Sequence, residues 1–175
     1  ATRFIGIADK ADQLLVGATY RSSATAATAN TIAARDASGD IYASLFQGTA
    51  TAARYADLAE KYLVDQEYEV GTVVVVGGEK EVTASIWGKR AIGVVSANPA
   101  YMMNSALVGG TYIALKGRVP VKIIGSVRKG DALVPAGNGS AKTDDSTVPG
   151  QHRQFGIALE DNVEPGIKLV ECVIL

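Results

Sequence analysis

A chain of 175 residues with 17 basic and 18 acidic side chains has room for one moderate core, or for one domain and an extended arm. The near balance of charge leaves no electrostatic footprint for nucleic acid or an anionic membrane. No apolar run, Val73 to Val76 included, is long enough to span a bilayer, and no charged-then-apolar signal segment opens the chain. A lone Cys172 and a lone His152 exclude an intrachain disulfide and any multi-cysteine or His-rich metal site. The start at Ala1 in place of Met leads us to expect the C-terminal piece of a longer protein.

Residues 1–52 hold few large side chains, and "RSSATAATANTIAARDASGD" is mostly Ala, Thr and Ser. Such residues bury little area, against an ordering cost of about 1–2 kcal/mol per residue. The segment is therefore either a floppy linker or an arm ordered by other chains. Phe4, Ile5, Leu14, Leu15, Val16, Ile32, Ile41, Leu45 and Phe46 are spaced like anchors and favour the arm. "ARDASGDIYAS" reads as a strand, a turn at Ala37-Ser38-Gly39 and a second strand. Residues 53–66 follow as a junction: "ARYADLAEKYL" places Ala53, Ala56, Ala59 and Leu63 near one face, which predicts a short helix. An echo of Ala8-x-x-Ala11-Asp12-x-Leu14 in Ala53-x-x-Ala56-Asp57-Leu58 suits a repetitive shaft.

From residue 67 to 175 the pattern is β. Short β-branched runs alternate with Gly, Pro and Asn, which predicts a compact barrel or sandwich. This half also repeats itself, as pseudo-repeats 67–125 and 126–175. "EYEVGTVVVVGGEKEVTAS" aligns with "SVRKGDALVPAGNGSAKTD", Gly71 falling on Gly130; "KRAIGVVSANP" aligns with "HRQFGIALEDN", Gly93 falling on Gly156. "GGTYIALKG" aligns loosely with "EPGIKLVEC". Two such units can pair about a pseudo-twofold axis, each covering the other's open edge.

Chemistry is scarce in this pattern. His152 with Ser96, Ser105 or Ser126 could begin a nucleophilic triad, but His152 lies in a Pro/Gly loop and no Gly-x-Ser-x-Gly elbow is present. Cys172 lies inside "IKLVECVIL", where an inert, buried thiol is expected. Asp131, Asp144, Asp145, Glu160 and Asp161 follow no calcium-loop spacing and read as turn and surface residues. "GNGSAKT" lacks the Gly-Lys-Ser/Thr ending of a phosphate loop. Trp87, Tyr101 and Tyr112 fit core or inter-chain packing better than a sugar platform. We therefore expect no enzyme, no catalytic residue, no cofactor and no metal.

"NTIAARDASGDI", "GTATAARYADLAEKY", "GTVVVVGGEKEVT", "IGVVSANPAYMMNS", "ALKGRVPVKIIG" and the ending "FGIALEDN…GIKLVECVIL" resemble the C-terminal region of tail-fibre and related virion proteins of contractile-tailed bacteriophages, including T-even-like marine and cyanobacterial phages. "YADLAEKY" and "IGVVSANP" are also similar to the autoproteolytic chaperone domain that ends some phage appendage proteins. The resemblance implies a homotrimeric virion component: an arm wound from three chains, a β tip, and contacts with other virion proteins and with a host-surface glycan or protein. Nucleic acid and membrane insertion are not expected. On that reading Ile32, Ile41, Leu45 and Phe46 are the trimer contacts, and Trp87 and Tyr101 are the receptor contacts. The alternative is a self-cleaving assembly chaperone, for which no Ser/Asp cleavage pair can be placed in this sequence.

Overall fold

The computed structural model describes residues 13–16, 19–24, 32–33, 35–41, 56–145 and 153–175. The chain divides into two units, Ala1–Thr51 and Ala52–Leu175. In the first, β1 (Gln13–Val16) and β2 (Thr19–Ala24) form an antiparallel hairpin, and β3 (Ile32–Ala33) adds to β2 in parallel. The turn after β3 forms where its sequence demands it. The Asp36 carboxylate accepts from the Ser38 and Asp40 amides, both at 2.9 Å, and Gly39 takes a φ of +88°.

The second unit contains ten strands: β4 (Asp57–Tyr62), β5 (Val73–Val76), β6 (Val82–Ala84), β7 (Ala91–Val95), β8 (Tyr101–Met103), β9 (Thr111–Ile124), β10 (Ala132–Gly137), β11 (Ser140–Thr143), β12 (Gly156–Ala158) and β13 (Ile167–Ile174). Their hydrogen-bonded order is β11-β10-β12-β13-β9-β7-β5-β6, with β4 on β9 and β8 on β4. The order hides two rings. The first runs β6-β5-β7-β9-β4 and closes through a parallel bridge from Val64 to Val82. The second runs β11-β10-β12-β13-β9 and closes through a parallel pairing of Ala141 with Ile123. Each ring is a small barrel, and β9 is common to both.

The two barrels are copies. An offset of 59 residues carries Val64–Val82 onto Ile123–Ala141, both parallel closures, and the β4–β9 register of Glu60 with Ile113 onto Val119 with Cys172. The Gly71 amide donates to Val95 O and the Gly130 amide to Ala158 O, each at 2.9 Å, and both glycines have positive φ. Gly93 lies opposite Val74, and Gly156 opposite Leu133. A Cβ on Gly93 would run into the Ala114 carbonyl, and one on Gly156 would come within 2.8 Å of Val173 O, the equivalent atom. The cores match as well. Val64, Val74, Val82, Val95 and Ile113 fill the first barrel, while Ile123, Leu133, Ala141, Ala158 and Cys172 fill the second from the same positions.

Within β5, Val73, Val74 and Val75 owe their continuous hydrophobicity to burial on both faces, while Val76 at the strand's end is exposed. Val74 points into the first core, and Val73 joins Ala91, Val94 and Ala114 in the cluster containing the second. At about 1.5–3 kcal/mol per fully buried valine, this shared wall is what welds the two barrels together.

Two expectations need correction. Among the described residues there is no helix, and "DLAEKY" within the expected junction helix is strand β4. Helical spacing of small alanines is a weak signal beside six residues of backbone pairing offered by β9. The alignment of "GGTYIALKG" with "EPGIKLVEC" is four residues out. Ser96 N donates to Tyr112 O where Leu159 N donates to Glu171 O, so Tyr112 matches Glu171; the first copy's loop, which carries β8, is longer by that amount.

Replacing Gly93 by Ala is expected to cost about 1–3 kcal/mol, because the wall against Ala114 is backbone and cannot yield. Gly130→Ala meets nothing within 4 Å, so its cost is limited to left-handed strain of about 1–2 kcal/mol. Urea unfolding of both variants checks the ordering; a Gly93 substitution milder than that at Gly130 would contradict the close packing described here.

Candidate functional site

Asp57, the first residue of β4, is 5% exposed, and its Oδ2 is the single buried side-chain oxygen or nitrogen without a hydrogen-bond partner among the described residues. Native structures leave few such groups unpaired, since each costs roughly 1–3 kcal/mol. Its backbone is held firmly. Asp57 O accepts from the Ala100 amide at 2.8 Å, and the preceding Ala56 O accepts from Arg118 N at 3.1 Å. Gly117 permits the crossing, for a Cβ there would meet Ala56 O and come within 2.9 Å of Asp57 Cα.

Asp57 lines a cleft of about 340 Å³ with Ser96, Asn98, Arg118, Pro120 and Glu171 around it and Ala56, Val70, Ala97 and Val119 completing the wall. The cleft lies along an edge of β9. Arg118 N bonds to Ala56 O and Lys122 N to Gly71 O, so by strand alternation the nitrogen of residue 120 points the same way, between them. That residue is proline, which has no N–H to leave unpaired. Two carboxylates, a guanidinium, a hydroxyl and a carboxamide thus belong to the residues lining a gap whose backbone edge carries no donor at its centre. In the second copy Lys116, Leu159 and Asp161 stand at the positions of Asp57, Ser96 and Asn98. The cleft is a feature of one repeat and not of the duplicated fold.

The residues singled out from sequence scatter. Ile41 is 54% exposed, Ile32 lies in β3, and Leu45, Phe46 and the Ile32 side chain fall outside the described residues, as does His152. Trp87, 73% exposed, sits on the β6–β7 turn near Gly137, and Tyr101, 65% exposed, opens β8 opposite Leu58. They stand on different elements. Of the serines, Ser96 lines the Asp57 cleft, while Ser105 and Ser126 accept at their carbonyls from Lys61 Nζ and Thr143 Oγ1. Asp131 and Asp161 accept from the Arg128 and Lys129 amides, and Glu160 accepts from the Glu171 amide. Asp144 accepts from Gln154 Nε2, and Asp145 pairs with Lys142 at 3.0 Å. These acids hold turns and surface. Asp57 escaped the sequence reading because a lone acid in an alanine-rich segment carries no motif; only its burial distinguishes it.

Cys172 is fully buried, where Ile113 lies in the other copy, and burial pushes its thiol up to about 12, with Glu171 and Glu160 adding to the effect. It is a core residue and not a nucleophile.

The double barrel is similar to two solved structures. One is the crystal structure of the pre-mature bacteriophage phi29 gene product 12, with a TM-score of 0.58 and 15% identity over 78% of this chain. This chain spans 23% of that one. The other is the C-terminal fragment of the same gene product, with a TM-score of 0.52 and 14% identity over 68% of this chain and 100% of the fragment. The likeness is one of fold. No protein-family model and no curated protein sequence matches the chain.

Two outcomes follow from the site. Asp57→Ala is expected to leave stability unchanged or raise it by about 1–3 kcal/mol, read as the shift in urea midpoint; a clear loss would mean that the carboxylate has a structural partner. For Cys172 the folded thiol titrates near 12 against 9.0 for a free thiol. Its contribution is therefore complete below pH 9 and declines as pH rises from 9 toward 12. Between those pH values the wild type should lose stability faster than Cys172→Val, and parallel profiles would contradict the burial.

Proposed function

We propose that this chain is the distal part of a bacteriophage appendage, a structural virion component whose double β-barrel forms the tip of a homotrimeric fibre. The observation that carries the reading is that the likeness takes in the whole of the phi29 gene product 12 C-terminal fragment, at a TM-score of 0.52. The tail-fibre-like segments "YADLAEKY" and "GVVSANPAYMMNS" support it from sequence, as does an arm too poor in large side chains to offset its own ordering entropy. In this reading the arm residues Ile32, Ile41, Leu45 and Phe46 face sister chains, and the exposed Trp87 and Tyr101 are open to a host-surface glycan or protein. The tip itself performs no chemistry on an external substrate.

A second reading has one specific observation in its favour. Asp57 stands a few residues beyond the boundary at Thr51 and Ala52, buried and with an unpartnered oxygen. A self-cleaving assembly chaperone needs such a group close to the bond it cuts. In that reading Asp57 takes a proton from an attacking water, the C–N bond of a peptide upstream of Ala56 breaks, and the proton passes to the departing amine.

Sedimentation equilibrium of the full chain tests the first reading, with a trimer expected and a monomer fatal to the shaft. Intact-mass measurement over prolonged incubation separates the two. The structural reading expects an unchanged mass. A fragment that forms without added protease, and that is lost in Asp57→Ala while the fold is kept, would establish the second.

A further inference from the structure

The Asp57 cleft carries more than one unpartnered group. Its polar lining residues are Asp57, Ser96, Asn98, Arg118 and Glu171, and none of these five side chains makes a hydrogen bond or an ion pair among the described residues. For Asn98 and Arg118, which are exposed, water supplies the partners. Ser96 and Glu171 are half-buried and Asp57 is buried outright, so a carboxylate without a donor is held at the wall of a cleft of about 340 Å³. That volume lies at the lower end of the range small-ligand sites occupy, about 300–1,000 Å³. Because the χ2 torsion of an aspartate is broad, either carboxylate oxygen can meet a donor that enters. Val70, Val119 and Pro120 add an apolar wall beside the polar groups. The second copy, with Lys116, Leu159 and Asp161 at the positions of Asp57, Ser96 and Asn98, has no such set.

We infer that this cleft binds a neutral sugar residue of a glycan. The lining selects the chemistry. An ammonium group answers the Asp57 and Glu171 carboxylates but shares the cleft with the Arg118 guanidinium, and an anion answers Arg118 but meets two carboxylates. A metal ion finds two anionic ligands at most, since no three His, Cys, Asp or Glu side chains group to hold one among the described residues. A peptide added as a strand needs free backbone donors along the edge. Here Arg118 N is taken by Ala56 O and Lys122 N by Gly71 O, and Pro120 has none. A sugar hydroxyl donates and accepts at once. Neighbouring hydroxyls of one ring therefore serve the carboxylates, the guanidinium and the Asn98 carboxamide together, while the C–H face of the ring packs on the apolar wall. The inference rests on the appendage reading for its glycan, and adds a binding cleft to the contacts assigned there to Trp87 and Tyr101.

The test is amide chemical-shift titration of the intact chain with the methyl glycosides of glucose, galactose, mannose and N-acetylglucosamine, with butylammonium and acetate as comparators. Saturable shifts at Ala56, Asp57, Ala97 and Val119 are expected with at least one glycoside. Affinity for that glycoside should fall about tenfold or more in Asp57→Ala and in Asn98→Ala. Asn98 is exposed, so its variant decides the matter if Asp57→Ala fails to fold, and an unchanged spectrum away from the cleft verifies the fold of each. The proposal is overturned if no glycoside shifts these residues at high millimolar concentration, if butylammonium or acetate binds more tightly than every glycoside, or if a folded variant keeps the affinity of the wild type. The titration needs no fibre. Binding by a chain that sediments as a monomer would keep this inference and sink the trimeric appendage, whereas a trimer without binding would do the reverse.

Discussion

Strand β9 is the element on which everything else in the tip depends. Its 14 residues serve as the last strand of one barrel and the first strand of the next, without a turn between. Residues 111–116 pair with β4 and β7, and residues 117–124 pair with β13 and touch β11. Neither half can be withdrawn without opening a barrel. Gly117, with φ +106°, marks the hand-over, where Ala56 and Asp57 cross closely enough that no side chain would fit. A single continuous ladder thus fixes the relation of the two cores and brings the start of β4 against the middle of the strand that forms its own partner.

Once duplication has set the frame, information lies where the copies differ. Tyr68 in the first copy is a polar hub: its hydroxyl donates to Asp65 at 2.5 Å and accepts from the Ala84 amide at 3.0 Å, holding the Asp65 carboxyl below its ordinary range. Val127 takes that place in the second copy and is simply buried. The first copy carries β8 in a longer loop, and it alone has a buried carboxylate where the other has Lys116. Matching, in contrast, shows at an inter-barrel cleft, whose lining takes Ile92 with its counterpart Phe155 and Leu115 with its counterpart Ile174.

Much of this was legible in the sequence, and the reasons are physical. Glycines demanded by positive φ or by backbone contact cannot be exchanged freely, so Gly71 with Gly130 and Gly93 with Gly156 kept the repeat visible. Hydrophobic alternation and the valine run revealed β structure, and Cys172 read correctly as core. The repeat's true start did not show. Residues 57–64 match 116–123 as the first strand of each unit, yet "DLAEKYLV" and "KGRVPVKI" share almost no letters. A strand buried by pairing with β9 tolerates many side chains, and the alanine spacing of "ARYADLAEKYL" pointed to a helix instead. The Asp57 cleft was illegible for a related reason: it is assembled from β4, the loop after β7, β9 and β13, segments no local pattern connects.

The central claim is that β9 couples two equivalent barrels into one cooperative body, and native-state hydrogen exchange of its amides measures this most directly. The account predicts that slowly exchanging amides in both halves, such as Ile113 and Ala114 in the first and Val119 and Val121 in the second, open with a common free energy and the same urea dependence. Two distinct free energies, with one half exchanging through a small local opening while the other stays protected, would contradict it.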